Sequence, residues 1–124
     1  ICTNSGLCAL AFTIHLTMLG EVGLRKMAEL NHANAVRLAD RLAEVAGVEV
    51  LNDTFFNEFT VRLSKPASGV VDTLAEKGVF AGVPVSRLLP GRKDAEVLLL
   101  MAVTELNSDN DMDRLIGELG EALR

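Results

Sequence analysis

The sequence has 124 residues, 49 % of them hydrophobic and 23 % charged: enough for one buried core, too few for two, and too apolar for a disordered chain. Its net charge of −5 repels phosphate backbones, and no Lys/Arg run interleaved with aromatic residues counters it, so nucleic acid is excluded as a partner. Phe supplies every aromatic side chain, which leaves no stacking platform for bases or sugars.

The chain opens at Ile1 with neither an initiator Met nor a basic segment, and reads as a fragment of something longer. Thr3, Asn4 and Ser5 offer capping side chains ahead of an uncharged apolar run, which predicts a first helix ending near Leu19. The run Leu7 to Leu19, roughly 13 residues, falls short of the ~20 needed to cross a bilayer. It also lacks the basic flank and cleavage site of a signal peptide, so no membrane is expected. With only Thr13, His15 and Thr17 breaking its surface, this helix must be covered nearly all round. The chain is too short to do that alone. A missing domain or a partner chain is expected to supply the cover, and the fragment without it is expected to self-associate.

Gly20 and Gly23 separate this helix from a second, Glu21 to Ala46, about 39 Å long at 1.5 Å per residue. Leu24, Ala28, Asn31, Ala35, Leu38, Leu42 and Val45 form its apolar stripe, widened by Val36, Ala39, Ala43 and Ala46. Its wet face carries Glu21, Arg25, Glu29, Arg37, Asp40, Arg41 and Glu44, with Glu21–Arg25 and Arg37–Asp40 spaced to pair. A coiled coil is the competing reading, with about three heptads and a polar Asn31 on the seam.

After Gly47 the period changes to two. Val48–Val50 reads as a short strand, Asn52-Asp53 as a turn, and Phe55 onward as a half-buried strand with Phe59, Val61 and Leu63 facing the core. Lys65-Pro66 stops it. A helix capped by Ser68 follows, burying Val70, Val71 and Leu74 before Gly78. Val79 to Leu89, interrupted by Gly82 and Pro84, is an edge strand or an irregular arm, and Pro90-Gly91 with Arg92, Lys93 and Asp94 is an exposed turn. Val97 to Val103 is uninterrupted and apolar, the expected centre of the sheet. Ser108 or Asn110 caps a last helix with Met112, Leu115, Ile116, Leu119 and Leu123 on one face. The order is two leading helices (1–46) and then an α+β portion (47–124), a mostly antiparallel sheet with helices on one face, in a single domain. An all-helical bundle would need Val97 to Val103 to be helical.

Few residues here carry chemistry. His15, a partly buried helix residue, and His32, a surface one, lie on different helices without carboxylates or thiols at metal spacing, so no metal site is expected. Cys2 and Cys8 are too few for the disulfide framework of a secreted domain; reduced thiols, a buried Cys8 and a cytoplasmic setting are expected. No serine or cysteine nucleophile has a base, and no glycine-rich loop follows a strand as a phosphate cradle requires. Lys26, Lys65, Lys77 and Lys93 all read as solvent-facing, whereas a Schiff-base lysine needs desolvation or a cationic neighbour. The catalytic residues are unknown from the residues alone.

ICTNSGLCAL (1–10), FFNEFTVRL (55–63), GVFAGVPVSRLLP (78–90) and VTE (103–105) together resemble the glycine decarboxylase family, along the whole chain. Within it they are similar to the C-terminal part of subunit 1 of glycine dehydrogenase (decarboxylating), where the enzyme is split in two. Ser5, Leu88-Leu89 and Leu106-Asn107 depart from the family pattern, which has glutamine, tyrosines and a basic pair there. The resemblance implies the small C-terminal domain of an aspartate-aminotransferase-like, pyridoxal-phosphate-dependent fold (fold type I). It implies an enzyme that decarboxylates glycine and passes the aminomethyl group to the lipoyl arm of H protein. It also implies a cofactor carried by subunit 2 and not covalently by this chain, with H protein and subunit 2 as partners. Cys2, Thr3 and Asn4 would form a loop near the cofactor-containing interface, or merely a helix cap, and Cys2 could be redox-sensitive. The fragment alone would be structural and inactive. A reading from another class is a small-molecule regulatory or dimerisation module with a ferredoxin-like or ACT-like sheet, against which stand the two helices that precede the strands.

Overall fold

The computed structural model describes residues 5–124. Helix α1 (Gly6–Ala43) is followed by strands β1 (Val48–Val50) and β2 (Glu58–Leu63), helix α2 (Ala67–Glu76), strand β3 (Val83–Pro84) and the single-turn helix α3 (Val85–Leu88). A 3₁₀ turn at Ala95–Val97 leads into strand β4 (Leu98–Ala102), and helix α4 (Asp109–Leu123) closes the chain. The four strands are antiparallel throughout, in the order β1-β2-β4-β3. Within the run Val97 to Val103, Leu98–Ala102 is thus an inner strand, not a helix, and an all-helical bundle is excluded. The strand–helix–strand start of a ferredoxin-like module is absent from this order.

Strand β2 buries Phe59, Val61 and Leu63 and exposes Glu58 and Arg62, the alternation a sheet with one apolar face requires. The same side of β4 offers Leu99 and Met101, opposite Val61 and Phe59 in the register. Onto this face pack Ala35, Leu38, Ala39 and Leu42 of α1, Val70 and Leu74 of α2, and Met112, Leu119 and Leu123 of α4. The apolar side of α1 is taken up by the sheet and by α4, not by a helix running along its length, which removes the coiled-coil reading. The other face of β4 is also covered: Leu98 packs with Val85 of α3 and Ala95 in a smaller cluster, so helical turns lie on both sides of the sheet and not on one. Edge strand β3 is only two residues long. At Gly82, with φ +151°, the chain runs so close to β4 that a Cβ would lie 2.3 Å from the Leu100 carbonyl oxygen.

Helix α1 is two arms joined at Gly20, whose φ of 61° and ψ of −175° interrupt the helix. The second arm ends at Ala43, three residues short of the expected Ala46. Its buried set is Asn34, Ala35, Leu38, Ala39 and Leu42. Leu24, Val36, Ala43 and Ala46, expected on the stripe, are exposed, and Asn34, unassigned from sequence, is buried in their place. The stripe is rotated toward Asn34 because the sheet meets only the last two turns of the arm. Glu21 and Arg25 pair as the spacing predicts. Arg37 does not pair with Asp40, since it reaches Asp109 on α4, as Arg41 reaches Asp113.

Of the expected caps, that of α2 fails and that of α4 holds. Ser5 occupies the N-cap position of α1 without a side-chain bond, and Thr3 and Asn4 lie outside the described residues. Helix α2 starts after Pro66, so Ser68 is inside the first turn and caps nothing. At α4 the cap is Ser108, in a reciprocal box: its hydroxyl accepts from the Asp111 N–H while Asp111 accepts from the Ser108 N–H.

Candidate functional site

The polar side chains that the fold brings together sit where the last third of α1 meets the end of β4. Buried Asn34 donates to the Thr104 carbonyl at 3.3 Å and accepts from Arg37 at 2.8 Å. Asn57, just ahead of β2, donates to the Val103 carbonyl at 3.2 Å, and Asn107 accepts from the Thr104 N–H at 2.8 Å. The exit of β4 is therefore clamped from α1, from the β2 side and from its own turn. His32, one turn before Asn34's neighbours on α1, hydrogen-bonds the Phe56 carbonyl at 2.8 Å and stacks on the Phe56 ring at 6.1 Å and 11°. A carbonyl oxygen only accepts, so Nδ1 is the donor in this bond. The surface placement of His32 holds, but this contact with the FF pair was not read from the sequence.

Among the described residues no three His, Cys, Asp or Glu side chains gather into a metal site. A cavity of about 280 Å³ opens where the chain from Gly78 to Ala81 stands away from the end of β4. Leu38, Met101, Val103 and Met112 form its floor, with Asn107, Asp111 and Arg114 at the rim. The rim groups are already engaged: Arg114 donates to the Lys77 carbonyl, and the Ser108 hydroxyl, then its N–H, hold the Asp111 carboxyl below the usual carboxylate range. Nothing there is poised to react.

The lysines fare similarly. Lys26 and Lys93 are exposed. Lys65 is half-buried rather than solvent-facing, because its ammonium donates to the Ala122 carbonyl at the end of α4 at 2.9 Å. Lys77 contacts Glu118 and Glu121, and those two carboxylates raise its pKa, the opposite of what an amine nucleophile needs. Neither Lys65 nor Lys77 is thus in the desolvated or cation-flanked setting that activates an amine.

Cys8 and His15, expected to be buried and partly buried, are both exposed, since they lie on the first arm of α1 and nothing among the described residues covers it. Leu7, Phe12 and Met18 on the same arm are 79 %, 64 % and 82 % exposed. An 18-residue window of α1 reaches a mean hydropathy of 1.6 with none of it buried, which by length and composition alone is enough to cross a membrane. The candidate interface residues Cys2, Thr3 and Asn4 directly precede this arm and lie outside the described residues.

A family model described as glycine cleavage system P-protein matches residues 1–119. The chain belongs to the glycine cleavage system P-protein family. It is 63 % identical over its whole length to a protein of Rhodospirillum centenum, and 62 % identical over 99 % of its length to one of Beijerinckia indica. Both are described as probable glycine dehydrogenase (decarboxylating) subunit 1, so the resemblance drawn from the ICTN, FFNEF and VTE segments is borne out. This P-protein chain spans only 28 % and 27 % of those relatives. A crystal structure of glycine decarboxylase in inhibitor-bound form superposes on 99 % of the chain with a TM-score of 0.87 at 38 % identity, the chain covering 27 % of it. An aminotransferase from Streptoalloteichus hindustanus shares the fold at a TM-score of 0.64 and 22 % identity, over 85 % of this chain and 35 % of its own. The α+β architecture is that of the aminotransferase-like fold type I proteins.

Proposed function

We propose that this chain is the small C-terminal domain of subunit 1 of a glycine decarboxylase, and that it acts by building an interface and not by carrying the reacting group. The observation that carries this reading is the uncovered first arm of α1 in a chain about a quarter as long as its relatives. The remainder of the protein is what covers the arm. Protein suits it better than lipid, because the apolar window includes Gly20, where the helical hydrogen-bond ladder is broken, and a bilayer core leaves such backbone groups unpaired. A cytoplasmic location follows from the same reading.

In the intact enzyme glycine is decarboxylated and the aminomethyl group passes to the lipoyl arm of H protein. Pyridoxal phosphate, carried by subunit 2, supplies the electron sink for loss of the carboxyl group. The engaged states of Lys65 and Lys77 support a cofactor bound elsewhere. Cys2, Thr3 and Asn4, at the head of the apolar arm, belong to the surface that meets the cofactor-bearing subunit.

The test is exchange of the glycine carboxyl group with labelled bicarbonate in the presence of lipoylated H protein. Activity is expected only when full-length subunit 1 and subunit 2 are mixed. Exchange by full-length subunit 1 alone, or a borohydride-fixed cofactor on Lys26, Lys65, Lys77 or Lys93, would refute the proposal.

A further inference from the structure

Gly20 and Gly23 mark a break in the sequence, but the residues around Gly20 do not impose one. Leu16 to Leu19 before it and Glu21 to Lys26 after it are compatible with helix, and the Glu21–Arg25 pair at 3.3 Å already belongs to a regular turn. One continuous helix was open to this sequence. Instead Gly20 adopts φ 61° and ψ −175°, the mirror image of the polyproline II conformation and a region essentially reserved for glycine. A Cβ on Gly20 would meet nothing within 4 Å. Space is thus not the reason for glycine at this position; the backbone conformation alone is.

Gly23 completes the arrangement. It carries no positive φ, yet a Cβ there would lie 3.2 Å from the Leu19 Cβ and 3.3 Å from its Cδ2. The last side chain of the first arm therefore folds into the room that Gly23 leaves. The Leu19 side chain thus fills the inside of this elbow, a contact that favours one angle over others.

We propose that Gly20 is a positioning residue: it sets the angle at which the apolar first arm leaves the core, and with it the surface on which that arm seats. The occupant of that surface is the remainder of the longer P-protein chain, so this inference rests on the function proposed above. The second arm is held by Leu38 and Leu42, buried in the core, so a change of angle at Gly20 acts through a lever. From Gly20 to Leu7 the lever is about 20 Å, so a change of ~30° would displace Leu7 by about 10 Å, far more than a packed interface tolerates.

The distance experiment uses the full-length protein with its other cysteines replaced and spin labels on Thr13→Cys and Ala33→Cys, both exposed in this chain, while exchange is measured separately in protein that keeps its native cysteines and carries no label. A straight helix would separate these positions by about 30 Å along its axis. The expected parent distance is shorter and narrowly distributed. Gly20→Ala is expected to move it toward the straight-helix value and to lower glycine–bicarbonate exchange in the assembled enzyme at least tenfold. Gly117→Ala, on α4 with nothing within 4 Å of the added Cβ, should change neither. A distance unmoved by Gly20→Ala overturns the elbow, whatever happens to activity. A moved distance with full activity leaves the elbow standing and overturns the seat. If Gly20→Ala does not accumulate, the parent decides: a broad distribution, or one centred near the straight-helix value, overturns the proposal.

Discussion

Leu38 and Leu42 are both buried on the inner side of α1, at 3 % and 0 % exposure, but their surroundings differ. Leu38 borders the cavity beside the end of β4, whereas Leu42 does not. Truncation to alanine removes three carbons from each, roughly 2.4 kcal/mol of transfer free energy at about 0.8 kcal/mol per carbon. What is added depends on the void left behind, and measured Leu→Ala losses span about 2.7–5.0 kcal/mol for that reason. Around Leu42 the packing is closed, so Leu42→Ala should fall at the upper end, about 4–5 kcal/mol. Leu38 already lacks neighbours on its cavity side and has fewer dispersion contacts to lose. Leu38→Ala should cost about 3 kcal/mol. Urea unfolding of the two variants and the parent, followed by far-ultraviolet circular dichroism, gives both numbers from midpoints at a common slope. A larger loss for Leu38→Ala than for Leu42→Ala would mean that the cavity is closed in solution, and the reasoning from the gap between Gly78–Ala81 and β4 would fail.

Leu38→Asp places a charge in the same apolar floor and should abolish the cooperative transition, whereas Arg37→Ala, which loses an exposed ion pair and one bond to the Asn34 side chain, should cost about 1–2 kcal/mol; equal melting of Leu38→Asp and parent would show that the inner face of α1 is misassigned. Ser108→Ala removes the side-chain half of the α4 cap and should lower stability by about 1 kcal/mol in the same urea experiment. The folded-state pKa of Asp111 is depressed, so its contribution is complete above the ordinary carboxylate value of 3.8 and is lost as pH falls through the lower folded value. Melting temperature should therefore drop in that acid window, and Asp111→Asn should flatten part of the drop; an unchanged pH profile would deny the carboxylate a role. The 124-residue chain alone should scatter light as oligomers at micromolar concentration and bind an apolar dye, and a dye-silent monomer would mean that the first arm finds its cover within the chain.

Local patterns were legible to the extent that the partner surface was close in sequence. The alternation of Phe59, Val61 and Leu63 placed β2 correctly, and the unbroken run before Val103 marked an inner strand, because a sheet face writes itself in period two. The polar groups were less legible. Arg37 was paired with Asp40 because spacing of three is visible in sequence, while Asp109, 72 positions away, is not. Asn34 is illegible in sequence because the helical template counts apolar residues, and a buried amide that satisfies a carbonyl on another element leaves no mark in that count. Cys8 and His15 show a different limit: the composition of the first arm states that cover is required, and is silent on which residues supply it. As for the candidate site, the lack of a poised lysine could be read in sequence only as a polar context. The contacts of Lys65 with the end of α4 and of Lys77 with two glutamates give the physical reason.

The margins of the sheet bear on how the uncovered chain would misbehave. On one side β1 is three residues long, with Glu49 bound to Arg62 across the strand. On the other, β3 is two residues long and ends in Pro84, which has no N–H to donate. Neither margin can template a further strand from another molecule. Clumping through the first arm should therefore be reversible and helical in character, without the thioflavin-positive fibrils that an open strand edge would seed. A preparation left sticky by the loss of its neighbour would be recoverable by dilution or by adding that neighbour back.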